Sequence, residues 1–269
     1  MLQLKSMLFS KSAKQNVPGW LTSQPVAHRG LHDGNATIAE NSISSFSRAI
    51  DAKLPIEFDI HLSADYQPVV FHDANLERMT GDPRQLSDLD ASELQTLKLA
   101  GGSDTIPLLS TALATVNGQV PLVIEIKAST VGRAQLIKHV WDVLKNYTGP
   151  YSIQSFDPLI LSTVRRLAPH VIRGQLAMKS PPSHLAMHKR LMIRHMLLNR
   201  LSKPHYIGYD VADIARPSVK RAIKSGMALL AWTVDDKDSL KIARQHADNI
   251  IFEKLPLKLV RQSSLQKSE

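Results

Sequence analysis

The residues best suited to chemistry lie in one short run, Ile56-Glu57-Phe58-Asp59-Ile60-His61. An extended chain points alternate side chains to opposite sides, so Glu57, Asp59 and His61 share one face and Ile56, Phe58 and Ile60 the other. Two carboxylates side by side in a closed interior repel and desolvate badly unless a cation or a proton offsets them. A divalent metal ion is the simplest answer. Val123-Ile124-Glu125-Ile126-Lys127 repeats the arrangement, with Glu125 and Lys127 on one face of an apolar strand. Glu57, Asp59 and Glu125 together make an all-oxygen site of the kind hard cations prefer, with positions left for water and substrate. The expected ion is magnesium or calcium, with manganese also compatible. The chain has no cysteine, which excludes thiolate ligands and disulfides.

Two further apolar runs end in histidine: Val26-Ala27-His28-Arg29-Gly30 and Val70-Phe71-His72-Asp73. Imidazole titrates near neutrality, so His28 and His72 suit general acid and base work, with either residue able to take either role. Arg29 carries the planar donor fork that matches a phosphoryl group. His61 is expected to support the site rather than react.

These groups converge only if their strands do. Short β-rich runs alternate with amphipathic stretches, the pattern of parallel strands joined by crossover helices. The expected strands are Pro25 to Ala27, Pro55 to His61, Leu122 to Lys127, Tyr151 to Gln154, Val171 to Leu176, Tyr206 to Tyr209, Ala228 to Val234 and Asn249 to Phe252. Eight is the number that closes a (β/α)8 barrel, and a length of 269 residues suits that fold. The expected organisation is one α/β catalytic domain over residues 1–269, with its core at about 25–255 and an insertion between strands two and three at about 62–120. The insertion should hold a hairpin of His61-Leu62 with Val69-Val70-Phe71 and a helical stretch around Leu86 to Leu99. Asn41 is the expected N-cap of a helix carrying Ile43, Phe46, Ala49 and Ile50, Ser129 or Thr130 of one running through Leu144, and Asp157 of one starting at Pro158. Pro217 marks a further helix start.

Composition is that of an ordinary folded protein, with 43% hydrophobic and 21% charged residues, which favours neither a fibrous nor a disordered class. No stretch approaches the roughly 20 apolar residues of a membrane span, and no export signal is legible, so the cytoplasm is the expected location. The net charge of +9 points to an anionic partner. No acidic residue precedes Asp33, where Lys5, Lys11 and Lys14 lie, and none falls between Pro181 and His205, where Lys189, Arg190, Arg194, Arg200 and Lys203 accumulate. No nucleic-acid motif accompanies this charge. The second segment, rich in Leu and Met, suits either a solvated barrel helix or peripheral contact with an anionic membrane.

The ordered set His28-Arg29-Gly30, Ala39-Glu40-Asn41-Ser42, Glu57-Phe58-Asp59, Pro68-Val69-Val70-Phe71-His72-Asp73, Glu125-Ile126-Lys127, Gln154-Ser155-Phe156-Asp157 and Trp232-Thr233-Val234 resembles the glycerophosphodiester phosphodiesterase family. The resemblance spans roughly residues 25 to 255. It implies a TIM barrel that hydrolyses a small glycerophosphodiester to an alcohol and glycerol 3-phosphate. It matches Glu57, Asp59 and Glu125 to metal ligands and His28 and His72 to the acid and base. Arg29, Lys127, Glu40 and Trp232 fall at substrate-binding positions, with Glu40 at the edge orienting His28 or Arg29. Two alternatives accompany it: a lysophospholipase D acting on a membrane lipid, and a non-catalytic barrel that binds a phosphoester. The chain departs from the family pattern at Ala39, at Ser42, at the turn Asp65-Tyr66 and at Phe252-Glu253, the last replacing a more usual threonine with aspartate or asparagine. If Tyr66 adopts positive φ, the turn costs about 1 kcal/mol.

Overall fold

The structure is a computed structural model and describes residues 17–128, 132–181, 183 and 185–261. Its nine strands, counted among the described residues, are β1 (Val26–Ala27), β2 (Ile56–Leu62), β3 (Pro68–Val70), β4 (Leu122–Ile126), β5 (Tyr151–Ser155), β6 (Ile172–Ala177), β7 (Tyr206–Asp210), β8 (Ala228–Val234) and β9 (Asn249–Phe252). All but β3 are parallel, in the order β2-β4-β5-β6-β7-β8-β9-β1. The pair Ala27 and Ile56 joins β1 back to β2 and closes the barrel. Closure leaves no unpaired parallel edge. Each expected strand is present, with ends displaced by no more than one residue.

Alternation along the strands separates two packing regions, as the pleat requires. Ile56, Phe58, Ile60, Leu122, Ile124 and Ile126 pack among the helices Ile43–Asp51, Leu109–Val116, Arg133–Leu144 and Pro158–Leu167. The opposite set, Val26, Val123, Tyr206, Ala228, Leu230 and Ile251, packs together inside the barrel. Leu21 of the short helix Trp20–Ser23 joins this inner cluster, and Asn249 ties that helix down by donating to the Leu21 and Gln24 carbonyls at 2.8 and 2.6 Å. Tyr206 fills so much of the interior that a methyl group at Gly174 would overlap its ring.

Local signals set most helix starts. The Asp157 carboxylate accepts from Leu159 N at 2.8 Å ahead of Pro158, and Pro217 opens the helix Pro217–Lys224. The cap of Ile43–Asp51 is Ser42, in a reciprocal box with Ser45, and not the expected Asn41. Asn41 has φ +54° and turns its carboxamide to Asp59. The helix ending at Leu144 begins at Arg133 after Gly132; Ser129 and Thr130 lie outside the described residues.

The segment between β2 and β4 starts with β3 pairing antiparallel to β2, and Tyr66 in the turn takes φ +61°. The helical stretch expected from Leu86 to Leu99 is instead a 3₁₀ turn, Leu86–Asp88, and one α-turn, Ala91–Leu94. Leu86, Leu89, Leu94 and Leu99 all face a satellite core with Val69, Phe71, Leu76, Met79 and Ile106. Spacings of five residues cannot keep one face of a continuous helix turned to that core, so the chain breaks. Leu109–Val116 packs in the barrel wall, so the excursion from the barrel ends before it. Among the described residues, no helix is long and apolar enough to cross a membrane.

Candidate active site

The β2–β4 register sets Asp59 directly beside Glu125, and Glu57 lies two residues back on the same face of β2. One oxygen from each of Glu57, Asp59 and Glu125 lies within 4.8 Å of the others, and all three side chains are buried. The Lys127 ammonium bridges Asp59 at 2.8 Å and Glu125 at 2.7 Å. Arg29 approaches from the end of β1, with its backbone N–H donating to Glu57 at 3.1 Å and its Nε 3.6 Å from Asp59. Asn41 donates to the second Asp59 oxygen at 2.9 Å, and Gln154 donates to Glu57 at 3.2 Å.

Charge is unevenly offset within this cluster. Burial, with Asp59 and Glu125 alongside, pushes the Glu57 carboxyl well above its ordinary range. Burial also raises Glu125 despite Lys127. Asp59 is desolvated too, yet Lys127, His72 and Arg29 hold it far below the usual carboxylate range. Lys127 is itself pushed up, since its two carboxylate partners outweigh its burial. The donor set therefore fits a hard divalent cation: three convergent oxygens with more negative charge than Lys127 and Arg29 offset. The triad can hold a metal ion.

His28 and His72 each carry a carboxylate on Nδ1. His28 Nδ1 is 2.7 Å from Glu253, and His28 Nε2 is 3.9 Å from Glu57. His72 Nδ1 is 2.6 Å from Asp73, whose other oxygen accepts from Arg78 at 2.6 Å. Arg78 also donates to Glu40 at 2.6 Å, and Glu40 accepts from Arg29 at 2.7 Å. A chain of hydrogen bonds thus links His72 to Arg29 around the rim. Burial opposes the charge on Glu40, but the bonds from Arg78, Arg29 and Asn35 hold its carboxyl down at about 2. Desolvation lowers His28 below its ordinary value.

A model described as the "Glycerophosphoryl diester phosphodiesterase family" matches residues 28–253, the stretch that carries every group above. The chain belongs to that family. A glycerophosphodiester phosphodiesterase of Caldanaerobacter subterraneus subsp. tengcongensis is 28% identical over 241 residues, covering 84% of this chain and 92% of the relative. A lysophospholipase D of Mus musculus is 33% identical over 138 residues, which is 46% of this chain and 42% of the relative. The solved structure of an Oleispira antarctica phosphodiesterase, in complex with the product sn-glycerol-3-phosphate, aligns with a TM-score of 0.74 at 25% identity, covering 91% of this chain and 97% of that one.

The residues singled out in the sequence divide on their geometry. Glu57, Asp59, Glu125, Lys127, Arg29 and His28 converge directly, and Glu40 joins through Arg29. His61 Nε2 donates to the His72 carbonyl at 3.0 Å and is lowered to about 4 by burial, so it is neutral and anchors the end of the hairpin. Trp232 packs edge-on against Phe156 at 5.5 Å, and its buried Nε1 has no hydrogen-bond partner among the described residues. Asp73, Arg78, Gln154 and the cap candidate Asn41 were not legible as members of this network. Asn41 and Gln154 reach the cluster, and Arg78 reaches Glu40, only once segments distant in sequence are assembled, while Asp73 meets its neighbour His72. The one available signal was Glu253, an acid standing where the family pattern carries a shorter side chain.

Proposed function

We propose that this chain hydrolyses a glycerophosphodiester to an alcohol and glycerol 3-phosphate. The observation that carries the reading is one buried three-carboxylate cluster with His28 3.9 Å from Glu57 and His72 close enough to act on the Asp59 charge, each histidine tied through Nδ1 to its own carboxylate. Glu57, Asp59 and Glu125 would hold the cation, which when bound supplies Lewis-acid stabilisation of phosphoryl charge; magnesium, calcium and manganese all suit such oxygens. Arg29, whose buried Nε lacks a hydrogen-bond partner among the described residues, and Lys127 offset charge on the phosphoryl oxygens. One histidine accepts a proton at Nε2 from the attacking hydroxyl, either water or a neighbouring substrate hydroxyl, and the other protonates the leaving alkoxide. Trp232, half-buried on β8, offers its ring to the substrate.

A coupled glycerol 3-phosphate assay on a small panel of glycerophosphodiesters, run with chelator and metal add-back, tests this directly. Release is expected only with metal, and kcat should fall steeply in His28→Ala and in His72→Ala. Wild-type turnover in both variants refutes the assignment.

A second reading concerns substrates carrying an acyl chain. Met187, Leu191, Leu197 and Leu201 are 64, 42, 58 and 43% exposed on the β6–β7 crossover, amid Lys189, Arg190, Arg194 and Arg200. Such a surface suits contact with an anionic bilayer, and with it a lysophospholipase D activity. Sedimentation with vesicles containing phosphatidylserine at low salt should carry the protein down; a protein left wholly in the supernatant removes the lipid reading.

A further inference from the structure

The carboxylate on His28 comes from the far end of the chain. β1 and β9 lie side by side with Ala27 opposite Phe252, and His28 N donates to the Phe252 carbonyl at 2.9 Å. The residues that follow, His28 and Glu253, therefore leave adjacent parallel strands at one level. Glu253 N donates to the Val234 carbonyl at 3.1 Å, which fixes its backbone from the β8 side as well. The seat of the side chain follows from barrel closure, not from a loop.

Donors hold both Glu253 oxygens. Oε2 lies 2.7 Å from His28 Nδ1 and 3.6 Å from His32 Nε2, and Oε1 lies 2.8 Å from Lys254 Nζ. His32 Nδ1 accepts from Gly34 N at 3.1 Å, so the neutral His32 ring carries its proton on Nε2, facing Glu253. Although burial opposes its charge, the hydrogen bond from His28, with His32 alongside at 3.6 Å, holds Glu253 below the usual carboxylate range. An ionised carboxylate only accepts, so the hydrogen on a neutral His28 must sit on Nδ1. The lone pair is then on Nε2, the atom 3.9 Å from Glu57.

We propose that Glu253 is a positioning residue for the hydrolysis: its carboxylate fixes the tautomer and orientation of His28 so that Nε2 faces the carboxylate cluster. A proton taken up at Nε2 makes the ring cationic while Nδ1–H stays bonded to Glu253; the same proton leaves from Nε2, and Glu253 stays ionised throughout. A buried anion against Nδ1 favours that cation over the neutral ring. Asp73 stands in the same relation to His72, with Arg78 on its second oxygen as Lys254 is on that of Glu253. The inference rests on the proposed acid–base role of His28.

The test uses Glu253→Leu and Glu253→Ala, both lacking an acceptor, so that whichever retains the wild-type circular dichroism spectrum carries it. Two readouts are taken in the full chain: steady-state kinetics with metal on a glycerophosphodiester, and the ¹⁵N shifts of the His28 ring in histidine-labelled protein, assigned by their loss in His28→Asn. We expect kcat to fall about ten- to hundredfold with KM within about threefold. The Nδ1–H pattern of His28 should give way to the mixture of a free imidazole. A kcat within about threefold of wild type, or an unchanged Nδ1–H pattern, overturns the proposal. The tautomer readout needs no turnover, so a wild-type chain without activity sinks the proposed function and leaves this inference to the spectra.

Discussion

Replacing Lys127 with methionine removes the ammonium that bridges two carboxylates of the cluster while keeping the length of the stem. At the observed 2.8 Å and an effective dielectric of ~20, the Lys127–Asp59 attraction alone is about 6 kcal/mol. The pair with Glu125 at 2.7 Å is similar. Desolvation of the ammonium cancels much of this sum, and breaking a buried pair from one side typically costs about 3 to 5 kcal/mol. That is the loss expected in urea unfolding at pH 8 with chelator present. Protons can replace the missing cation. Carboxyls whose folded pKa lies above the unfolded value bind more protons in the native state, so their stability contribution falls as pH rises. The Lys127→Met deficit should therefore be smaller at pH 5 than at pH 8. A divalent ion should also recover more stability in the variant than in the wild type, because it binds the folded cluster alone. A variant within about 1 kcal/mol of wild type at pH 8 in chelator, or a deficit that grows on acidification, would show that Lys127 does not balance this charge.

Three further outcomes are expected. Glu40 has its carboxyl held at about 2 against an ordinary 4.5, so its stabilisation is complete above about pH 4.5 and lost as pH falls towards 2. The wild-type advantage over Glu40→Gln, up to about 3 kcal/mol in urea unfolding at pH 6, should thus shrink by pH 3. Asn41→Ala removes the donor to Asp59 and should cost about 1.5 to 3 kcal/mol, with metal affinity in calorimetric titration down about tenfold. Gly174→Ala drives a methyl into the Tyr206 ring and should lower stability by about 1 to 3 kcal/mol in thermal unfolding while the spectrum of the folded state is retained.

Much of the barrel was legible because alternation is a local property. Glu57 and Asp59 share a face whatever surrounds β2, and so do Glu125 and Lys127 on β4; parallel pairing then needs only the observed register to bring Asp59 beside Glu125. Helix starts with a proline were equally plain, since Asp157-Pro158 carries its own cap. The stretch from Leu86 to Leu99 was misread because its leucines answer to a satellite core made by β3 and the loops around it.

Residue type and spacing by themselves determined which side chains face inward and that too many of them are acids. Tertiary structure decided what balances them. Asn41 left the helix cap to Ser42 and turned to Asp59, Lys127 settled between two carboxylates, and Glu253 reached His28 across 225 positions of sequence. The physical reason is range: the pleat repeats every two residues, whereas a hydrogen bond between the first and last strands exists only after the barrel has closed.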